Sequence, residues 1–177
     1  MTRLAAGSRG AADNAAMHPA TLSTPSVSTG LSVVLGGSGG IGAALVAQLQ
    51  AQGVEVLALG RRTQPALDYT DEASIAACAQ QVADRLAQTG LPLQRLIVAT
   101  GFLHGDTASG QRAEPERSWQ HLNTDALQHS FLINAIGPAL VMRHFLPLLP
   151  RQGRCVAAFL SARVGSIGDN RLGGWYG

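Results

Sequence analysis

The 177-residue chain contains no lysine, and only 14% of its residues are charged. Its thirteen basic residues are all arginines and face eleven acidic residues, so the formal net charge is only +2. Nucleic-acid binding needs clustered positive charge, and the sequence has no basic run. It also lacks an uninterrupted apolar run of about 18 residues or more, the usual mark of a transmembrane helix. We therefore expect neither a nucleic-acid partner nor a membrane.

Cysteine is scarce as well. Cys78 and Cys155 are far apart in the sequence and fit neither a disulfide framework nor a metal-ligand spacing. The five histidines are scattered, without acidic or cysteine partners at ligand spacing. We therefore expect no metal site. Because unpaired cysteines suit a reducing compartment, we expect a cytoplasmic protein.

Two regions differ in composition. Residues 1–30 are rich in alanine, serine, threonine and glycine and show no apolar periodicity, which predicts a disordered leader. Residues 31–177 carry the apolar segments and form the predicted domain. With 46% hydrophobic residues overall, the chain has enough apolar side chains for a core.

From residue 31 onward, short apolar segments alternate with amphipathic ones. The predicted strands are 31–36, 54–60, 95–100 and 154–160, and 66–69 is a candidate for a further short strand. The predicted helices are 40–53, 71–89 and 124–149, whereas 101–118 has the polar composition of a loop. This alternation predicts an α/β fold with a doubly wound, mostly parallel sheet of the Rossmann type.

The turn between the first strand and the first helix is rich in glycine. It comprises Gly36, Gly37, Ser38, Gly39, Gly40, Ile41 and Gly42. A pyrophosphate at such a turn needs a backbone with positive φ, close approach and free amides at a helix N-terminus, and glycine serves each need. The position of the turn favours a dinucleotide site over a plain tight turn.

Two arginines, Arg61 and Arg62, stand about 20 residues after this turn, where NAD-binding proteins often carry an acid. Because no carboxylate is present at this position, a ribose 2′-phosphate would not be repelled, and a guanidinium pairs well with phosphate. The pair favours NADP over NAD, and a simple solvated pair of arginines is the alternative.

Taken together, these motifs resemble the short-chain dehydrogenase/reductase family. The spacing Gly36-x-x-x-Gly40-Ile41-Gly42 matches its three-glycine pattern. Asp68 and Tyr69 resemble its adenine-contacting acid and the neighbour of that acid. Ala99, Thr100 and Gly101 end the segment that corresponds to Asn-Asn-Ala-Gly in the family, and only the glycine is kept. The resemblance implies that all these residues line the cofactor.

The resemblance also implies catalytic residues. Asn134 in INAIGP matches the asparagine of the family's catalytic tetrad, and either Ser166 or Ser161 matches the serine that binds the substrate carbonyl. Pro138 has no N–H to donate to the Asn134 carbonyl. We expect either that this carbonyl is free to hold a water, as in the family's proton relay, or that the proline merely kinks the helix.

The last seventeen residues, SARVGSIGDNRLGGWYG, resemble the C-factor-type (C-signal-like) branch, whose members continue with a Tyr-x-x-x-Lys pair. In that pattern the acid/base tyrosine comes two residues after Tyr176, beyond the final Gly177. The resemblance therefore implies a chain truncated before the pair and a fold incomplete at its C-terminal side.

Three functions stay open from the sequence. The first is an NADP-dependent oxidoreductase for a small carbonyl or alcohol substrate, inactive as given because the tyrosine and lysine are absent. The second is a non-catalytic dinucleotide-binding or interaction module, and the third is a truncated product without function. For full-length relatives the resemblance implies homo-oligomers.

Overall fold

The structure is a computed structural model that describes residues 30–166 and residue 168. The leader predicted for residues 1–30 therefore lies, except for Gly30, outside the described residues. The same holds for Tyr176 and for most of the segment that resembles the C-factor-type branch.

Strands and helices alternate along the described residues. The strands are β1 (Leu31–Leu35), β2 (Val56–Leu59), β3 (Leu93–Val98), β4 (Gly105–Asp106), β5 (Arg112–Ala113) and β6 (Val156–Phe159). The α-helices are α1 (Gly40–Ala51), α2 (Glu72–Thr89), α3 (Thr124–Phe131) and α4 (Gly137–Phe145). The segment predicted as a polar loop holds a small antiparallel pair, β4 with β5, which the sequence analysis missed.

The central sheet of the described residues is parallel throughout, with the order β2–β1–β3–β6. Val33 in the middle of β1 pairs with Leu57 on one side and Leu96 on the other. This arrangement confirms the predicted α/β fold.

The prediction of a short strand at residues 66–69 is wrong. This segment lies in the loop between β2 and α2, where the Leu67 amide donates to the Gly60 carbonyl at the other end of the same loop. Leu67 and Tyr69 are buried as core residues of that loop. Their burial, without strand pairing, explains the strand-like apolar pattern.

The crossovers place helices on both faces of the sheet. The chain passes through α1 from β1 outward to β2, and then through α2 back across β1 to β3. Because such crossovers are right-handed, opposite directions of travel put α1 and α2 on opposite faces. The connection from β3 to β6 runs in the same direction as that through α2, so α4 shares its face, and α2 and α4 are in contact.

The main core lies between the sheet and these two helices. Ile75, Cys78 and Val82 of α2 and Val141 and Phe145 of α4 are fully buried against the strands. At the edge of this layer, Glu72 Oε1 accepts hydrogen bonds of 2.9 Å from both Arg143 and His144, which joins α2 to α4. Only Gly42 of α1 is buried, so the opposite face is thinly covered.

Helix α2 lies within one residue of its predicted limits at each end. The Asp71 carboxylate accepts a hydrogen bond of 2.9 Å from the Ala73 amide at its start. Gly90 ends the helix with φ of 67°, a left-handed conformation that glycine adopts without strain.

The predicted long helix is continuous from residue 124 to residue 148, but it is not α-helical throughout. A π-helical turn (Leu132–Ile136) separates α3 from α4, and the Gly137 amide donates to the Leu132 carbonyl, five residues back. Pro138 follows at once, and the ordinary bond from position 138 to Asn134 is impossible there. Whether the Asn134 carbonyl holds a water stays a prediction.

By length and composition alone, the helix of residues 124–148 could cross a membrane. The criterion of uninterrupted apolar runs did not select it, because polar residues such as Asn134 and Arg143 interrupt the pattern. These polar side chains are hydrogen-bonded to groups of the same domain, Asn134 to Phe102 and Arg143 to Glu72. Such pairing is ordinary for a helix that packs on a folded domain.

Gly137 packs directly against the ring of Tyr69. A Cβ at this position would lie 2.7 Å from Tyr69 Cε2 and nearer still to Cδ2. We expect Gly137→Ala to lower the free energy of unfolding by about 1–3 kcal/mol through overpacking, measured by urea denaturation. The matched control is Gly40→Ala, since a Cβ at Gly40 meets no heavy atom within 4 Å. Equal urea midpoints for the two variants would contradict the packing argument.

Candidate functional site

The predicted site residues gather at one edge of the sheet. Because the four strands are parallel, their carboxyl ends share this edge, and the loops after β1, β2, β3 and β6 meet there. β2, the strand that follows β1 in the chain, lies on one side of β1, whereas β3 and β6 lie on its other side. The crevice at such a reversal of strand order is the usual ligand site of open α/β sheets.

The glycine turn after β1 is pressed against its neighbours. Gly36 has φ of 83°, and a Cβ there would lie 3.0 Å from the carbonyl carbon of Ala99. A Cβ at Gly37 would lie 2.7 Å from Ala58 Cβ, and one at Gly42 would overlap the Gly36 carbonyl oxygen. Glycine is therefore required at these three positions by the close approach of β2, the loop after β3 and α1.

The start of α1 is open to an anion. Its N-cap, Gly39, supplies no side-chain cap, and the first turn carries no acidic residue. The first amides of an α-helix have no acceptor within the helix, and here they lie beside exposed residues, Ser38 to Ile41. Ile41 is 66% exposed. Together with the helix dipole, such a terminus attracts phosphate.

The loop after β2 presents Arg61 and Arg62 to solvent. Thr63 closes this loop, because its hydroxyl accepts from the Gly60 amide at 3.1 Å and lies 2.8 Å from the Gly60 carbonyl oxygen. The loop starts next to the glycine turn, since Ser38 Oγ lies 3.6 Å from the position of a Cβ at Gly60. The structure therefore brings the arginine pair close to the glycine turn.

Asp68 lies on the same loop. Its Oδ1 accepts from the Thr70 amide at 2.8 Å and from the Thr70 hydroxyl at 2.7 Å. These two hydrogen bonds lower the pKa of the Asp68 carboxyl below its ordinary value, and the charge of Arg61 adds to the effect. Asp68 is therefore an exposed carboxylate, ionised at neutral pH.

Tyr69, by contrast, is a core residue. Its side chain is only 6% exposed, and its hydroxyl shares a hydrogen bond of 2.8 Å with Thr100 Oγ1. Burial raises the pKa of the Tyr69 hydroxyl above its ordinary value, so the group is neutral at physiological pH. The sequence analysis placed Tyr69 beside the cofactor as a neighbour of the adenine-contacting acid. In the structure the ring packs inside the domain and its hydroxyl is bonded to Thr100, so the side chain is not presented at the surface. The assignment of Tyr69 to the cofactor site stays a prediction.

The loop after β3 is fixed by hydrogen bonds at both ends. Ala99 donates to the Leu35 carbonyl at 2.8 Å. At the far end, Asn134 Oδ1 accepts from the Phe102 amide at 2.8 Å, and Asn134 Nδ2 donates to the Phe102 carbonyl at 2.7 Å and to Ser130 Oγ at 3.1 Å. The Asn134 side chain thus ties this loop to the long helix, beside Gly101.

Both candidate serines follow β6 and are exposed. The Leu160 amide donates to the Val98 carbonyl, so the sheet continues to the edge just before Ser161. Ser161 Oγ lies 3.7 Å from the position of a Cβ at Gly165, and the Ser166 amide donates to the Arg163 carbonyl in a short 3₁₀ turn. Both serines therefore lie at the same edge of the sheet as the glycine turn, and the roles of Ser161 and Ser166 stay predictions.

Sequence reasoning missed Ser130 as a site residue. Ser130 is buried and supports the Asn134 amide from one helical turn earlier, a spacing that the sequence could have revealed.

Sequence reasoning also missed a cleft of about 360 Å³ between the β4–β5 pair and the start of α3. There Asp125 accepts hydrogen bonds from Thr107 and Ser109, which lower the pKa of its carboxyl.

Metal ligands do not gather in the part of the chain that the structure describes. Residues 30–166 and 168 contain no group of three or more histidine, cysteine, aspartate or glutamate side chains arranged to hold a metal ion.

Residues 31–173 match the family model described as short chain dehydrogenase. This match covers most of the chain and all of the sheet and helices described above. No curated protein matches the chain significantly.

Solved structures share the fold. The NADPH-bound carbonyl reductase from chicken fatty liver has a TM-score of 0.65 and 24% identity over 82% of this chain and 61% of its own. The ligand-free aldohexose dehydrogenase (AldT) of Thermoplasma acidophilum has a TM-score of 0.61 and 16% identity over 80% of this chain and 52% of its own. A small-chain dehydrogenase in complex with NADPH has a TM-score of 0.58 and 23% identity over 77% of this chain and 52% of its own. The chain thus spans between about half and three fifths of the length of these structures.

The hydrogen bonds to Asp68 give a prediction for its titration. We expect Thr70→Val to raise the pKa of the Asp68 carboxyl, because the hydroxyl donor is lost while the amide donor stays. Carboxyl-detected NMR titration measures this, with Thr89→Val, at the far end of α2, as the control. Because the folded-state pKa is lowered, the stabilisation by Asp68 is present at neutral pH and is lost as the pH falls through that pKa. An unchanged Asp68 titration in Thr70→Val would contradict the hydrogen-bond assignment.

Proposed function

Because the chain belongs to the short-chain dehydrogenase family, we propose that its glycine turn binds the diphosphate of NADP for oxidoreduction between a carbonyl and an alcohol. The observation that carries this proposal is the place of the uncapped start of α1 at the reversal of strand order, directly after a glycine turn whose Gly36 lies against the loop after β3. Open space at Gly40, where a Cβ would meet nothing within 4 Å, leaves room for a ligand.

The residues of the sheet edge fit the parts of a dinucleotide. The amide of Ser38 and those of residues 40–42 would hold the diphosphate, since the Gly39 amide donates to the Gly36 carbonyl within the turn. Arg61 or Arg62 would pair with a 2′-phosphate on the adenosine ribose. Asp68, an ionised acceptor on the same loop, would accept a hydrogen bond from the adenine amino group. The loop from Ala99 to Gly101 would lie along the cofactor.

NADP is proposed over NAD for two reasons. Arg61 and Arg62 are exposed on the loop that starts beside the glycine turn. The charge of Arg61 acts on Asp68, but neither arginine forms a salt bridge with a described residue, so both guanidinium groups can pair with a phosphate. The carbonyl reductase from chicken liver and the small-chain dehydrogenase, which share the fold, carry NADPH.

The bound nicotinamide would supply or accept the hydride in such a reaction. We propose that Asn134 keeps the loop after β3 in place for it, since the side-chain amide of Asn134 is fully engaged with Phe102 and Ser130. Ser161 or Ser166, exposed after β6, would donate a hydrogen bond to the substrate carbonyl. A hydroxyl in this place would orient the carbonyl and stabilise charge that develops on its oxygen.

The sequence contains no lysine, and the family's chemistry depends on a Tyr-x-x-x-Lys pair. Arginine is a poor replacement, because its pKa and its planar geometry differ from those of an ammonium group. This absence favours a second candidate function, a non-catalytic dinucleotide-binding module. We propose that the 177-residue chain binds the dinucleotide without turnover, and we place it in the C-factor-type branch of the family.

We propose a small-molecule carbonyl or alcohol as the substrate. The homo-oligomeric state implied for full-length relatives and the cytoplasmic location stay predictions from the sequence.

Turnover separates the two candidate functions. We expect no substrate-dependent oxidation of NADPH by the 177-residue chain with carbonyl substrates, followed spectrophotometrically, because no lysine is present to assist an acid/base tyrosine. The carbonyl reductase from chicken liver would serve as the positive control in the same assay. Catalysed oxidation by this chain would overturn its assignment as a non-catalytic module.

Cofactor choice is tested at the arginine pair. We expect Arg61→Gln with Arg62→Gln to weaken NADPH binding about 10-fold, the loss of a charge-assisted contact to the 2′-phosphate, and to leave NADH binding unchanged. Isothermal titration calorimetry measures both affinities.

The matched control is Arg151→Gln, an exposed arginine before β6, at the opposite edge of the sheet. An equal loss for NADPH and NADH would contradict the role in 2′-phosphate recognition. Failure of the unaltered chain to bind either nucleotide would contradict the proposed function itself.

A further inference from the structure

Tyr69 connects three parts of the structure that are distant in sequence. It lies in the loop between β2 and α2, its hydroxyl shares the 2.8 Å hydrogen bond with Thr100 in the loop after β3, and its ring lies directly against Gly137 of α4. The ring leaves no room for a Cβ at Gly137. The long helix and the loop after β3 are therefore held together through one buried side chain.

Thr100 in turn contacts the glycine turn. Its Cγ2 lies 3.1 Å from the position that a Cβ at Gly36 would occupy, and the Ala99 carbonyl oxygen lies 3.0 Å from the same position. A movement of the Ala99–Thr100 peptide toward β1 would collide with the turn, and a movement away would remove its support. The position of Thr100 therefore limits the conformation of the turn that carries the open amides of α1.

The same loop is held a second time by the long helix. Asn134, three residues before Gly137, binds both the amide and the carbonyl of Phe102. The loop after β3 is thus fixed at Thr100 by Tyr69 and at Phe102 by Asn134. Without the Tyr69 hydroxyl, the loop would lose the side-chain attachment nearer to the glycine turn and keep the Ala99–Leu35 backbone hydrogen bond and the attachment at Phe102.

We propose that Tyr69 is a positioning residue of the dinucleotide site, whose hydroxyl fixes Thr100 and thereby holds the glycine turn in the conformation that receives the diphosphate. This inference rests on the proposed function. It gives Tyr69 a role through another residue, in place of the direct contact with adenine that the sequence suggested. A buried hydroxyl pair is well suited to the task, because leaving either hydroxyl without its partner inside the domain is unfavourable.

The test compares Tyr69→Phe, Thr100→Val and the double variant in the full 177-residue chain. Each single substitution removes one hydroxyl and keeps the shape of the side chain. We expect each single variant to weaken NADPH binding about 5-fold, the scale of one net hydrogen bond, and the double variant to be no weaker than either single one. Thr100→Ser, which keeps the hydroxyl, should retain most of the affinity. Isothermal titration calorimetry gives the affinities, and thermal unfolding without nucleotide gives the stabilities.

The control for a purely structural effect is Ser32→Ala. Ser32 is fully buried in β1, and its hydroxyl accepts a hydrogen bond from Arg95, away from the glycine turn. We expect this variant to lose stability with its NADPH affinity unchanged. If Tyr69→Phe behaves like Ser32→Ala, with affinity within 2-fold of the unaltered chain at a lower melting temperature, the positioning role is wrong.

A second measurement does not depend on the nucleotide. The backbone amide NMR signals of residues 36–42 in the nucleotide-free chain should shift in Tyr69→Phe and in Thr100→Val, and stay in place in Ser32→Ala. If the unaltered chain binds no dinucleotide, the proposed function fails, and these signals still decide whether Tyr69 sets the conformation of the turn. Unshifted signals in both hydroxyl variants would overturn the inference.

Discussion

The contact between Gly36 and the Ala99–Thr100 peptide is the constraint on which the rest of the site depends. It brings the end of β1 against the end of β3 at the point where the order of the strands reverses. Any side chain at Gly36 would collide with the Ala99 carbonyl, and one at Gly42 would collide with Gly36. The open start of α1 can therefore face the crevice only because the turn and the loop after β3 are packed to backbone contact.

The residues around this contact divide into supports and ligand-facing groups. Tyr69 and Asn134 direct their polar side-chain atoms to the loop after β3, Tyr69 from inside the domain and Asn134 from an exposed position. Asp68, Arg61 and Arg62 lie on a loop at the surface and keep their charges in solvent. Polar groups that are hydrogen-bonded within the domain favour a rigid site, and exposed charges remain available for a ligand. This division is the physical basis for assigning recognition to the loop after β2 and positioning to the core beneath it.

The sequence predicted most of the sheet and the helices because their signals are local. The strands β1, β2, β3 and β6 are apolar runs within the predicted limits or offset by two residues. Asp71 and Gly90 bound α2 through cap chemistry that involves neighbouring residues. The prediction of strands failed where apolar residues were buried in a loop and not in a strand. Leu67 and Tyr69 resemble a strand in sequence, but they are core residues of a loop. The π-helical turn before Pro138 and the β4–β5 pair depend on backbone hydrogen bonds that composition does not specify.

The sequence by itself determined the alternation of strands and helices, the glycine turn and the positions of the arginine pair, because each follows from the conformational needs of residues close together in the chain. Only the tertiary structure decided what Tyr69, Thr100 and Asn134 do. Their partners stand about 30 residues away in the sequence, and the direction of a side chain in a loop depends on what packs against it. Tyr69 illustrates the difference. The sequence motif predicted that it lies beside the cofactor, whereas in the structure it is buried in the core against Gly137.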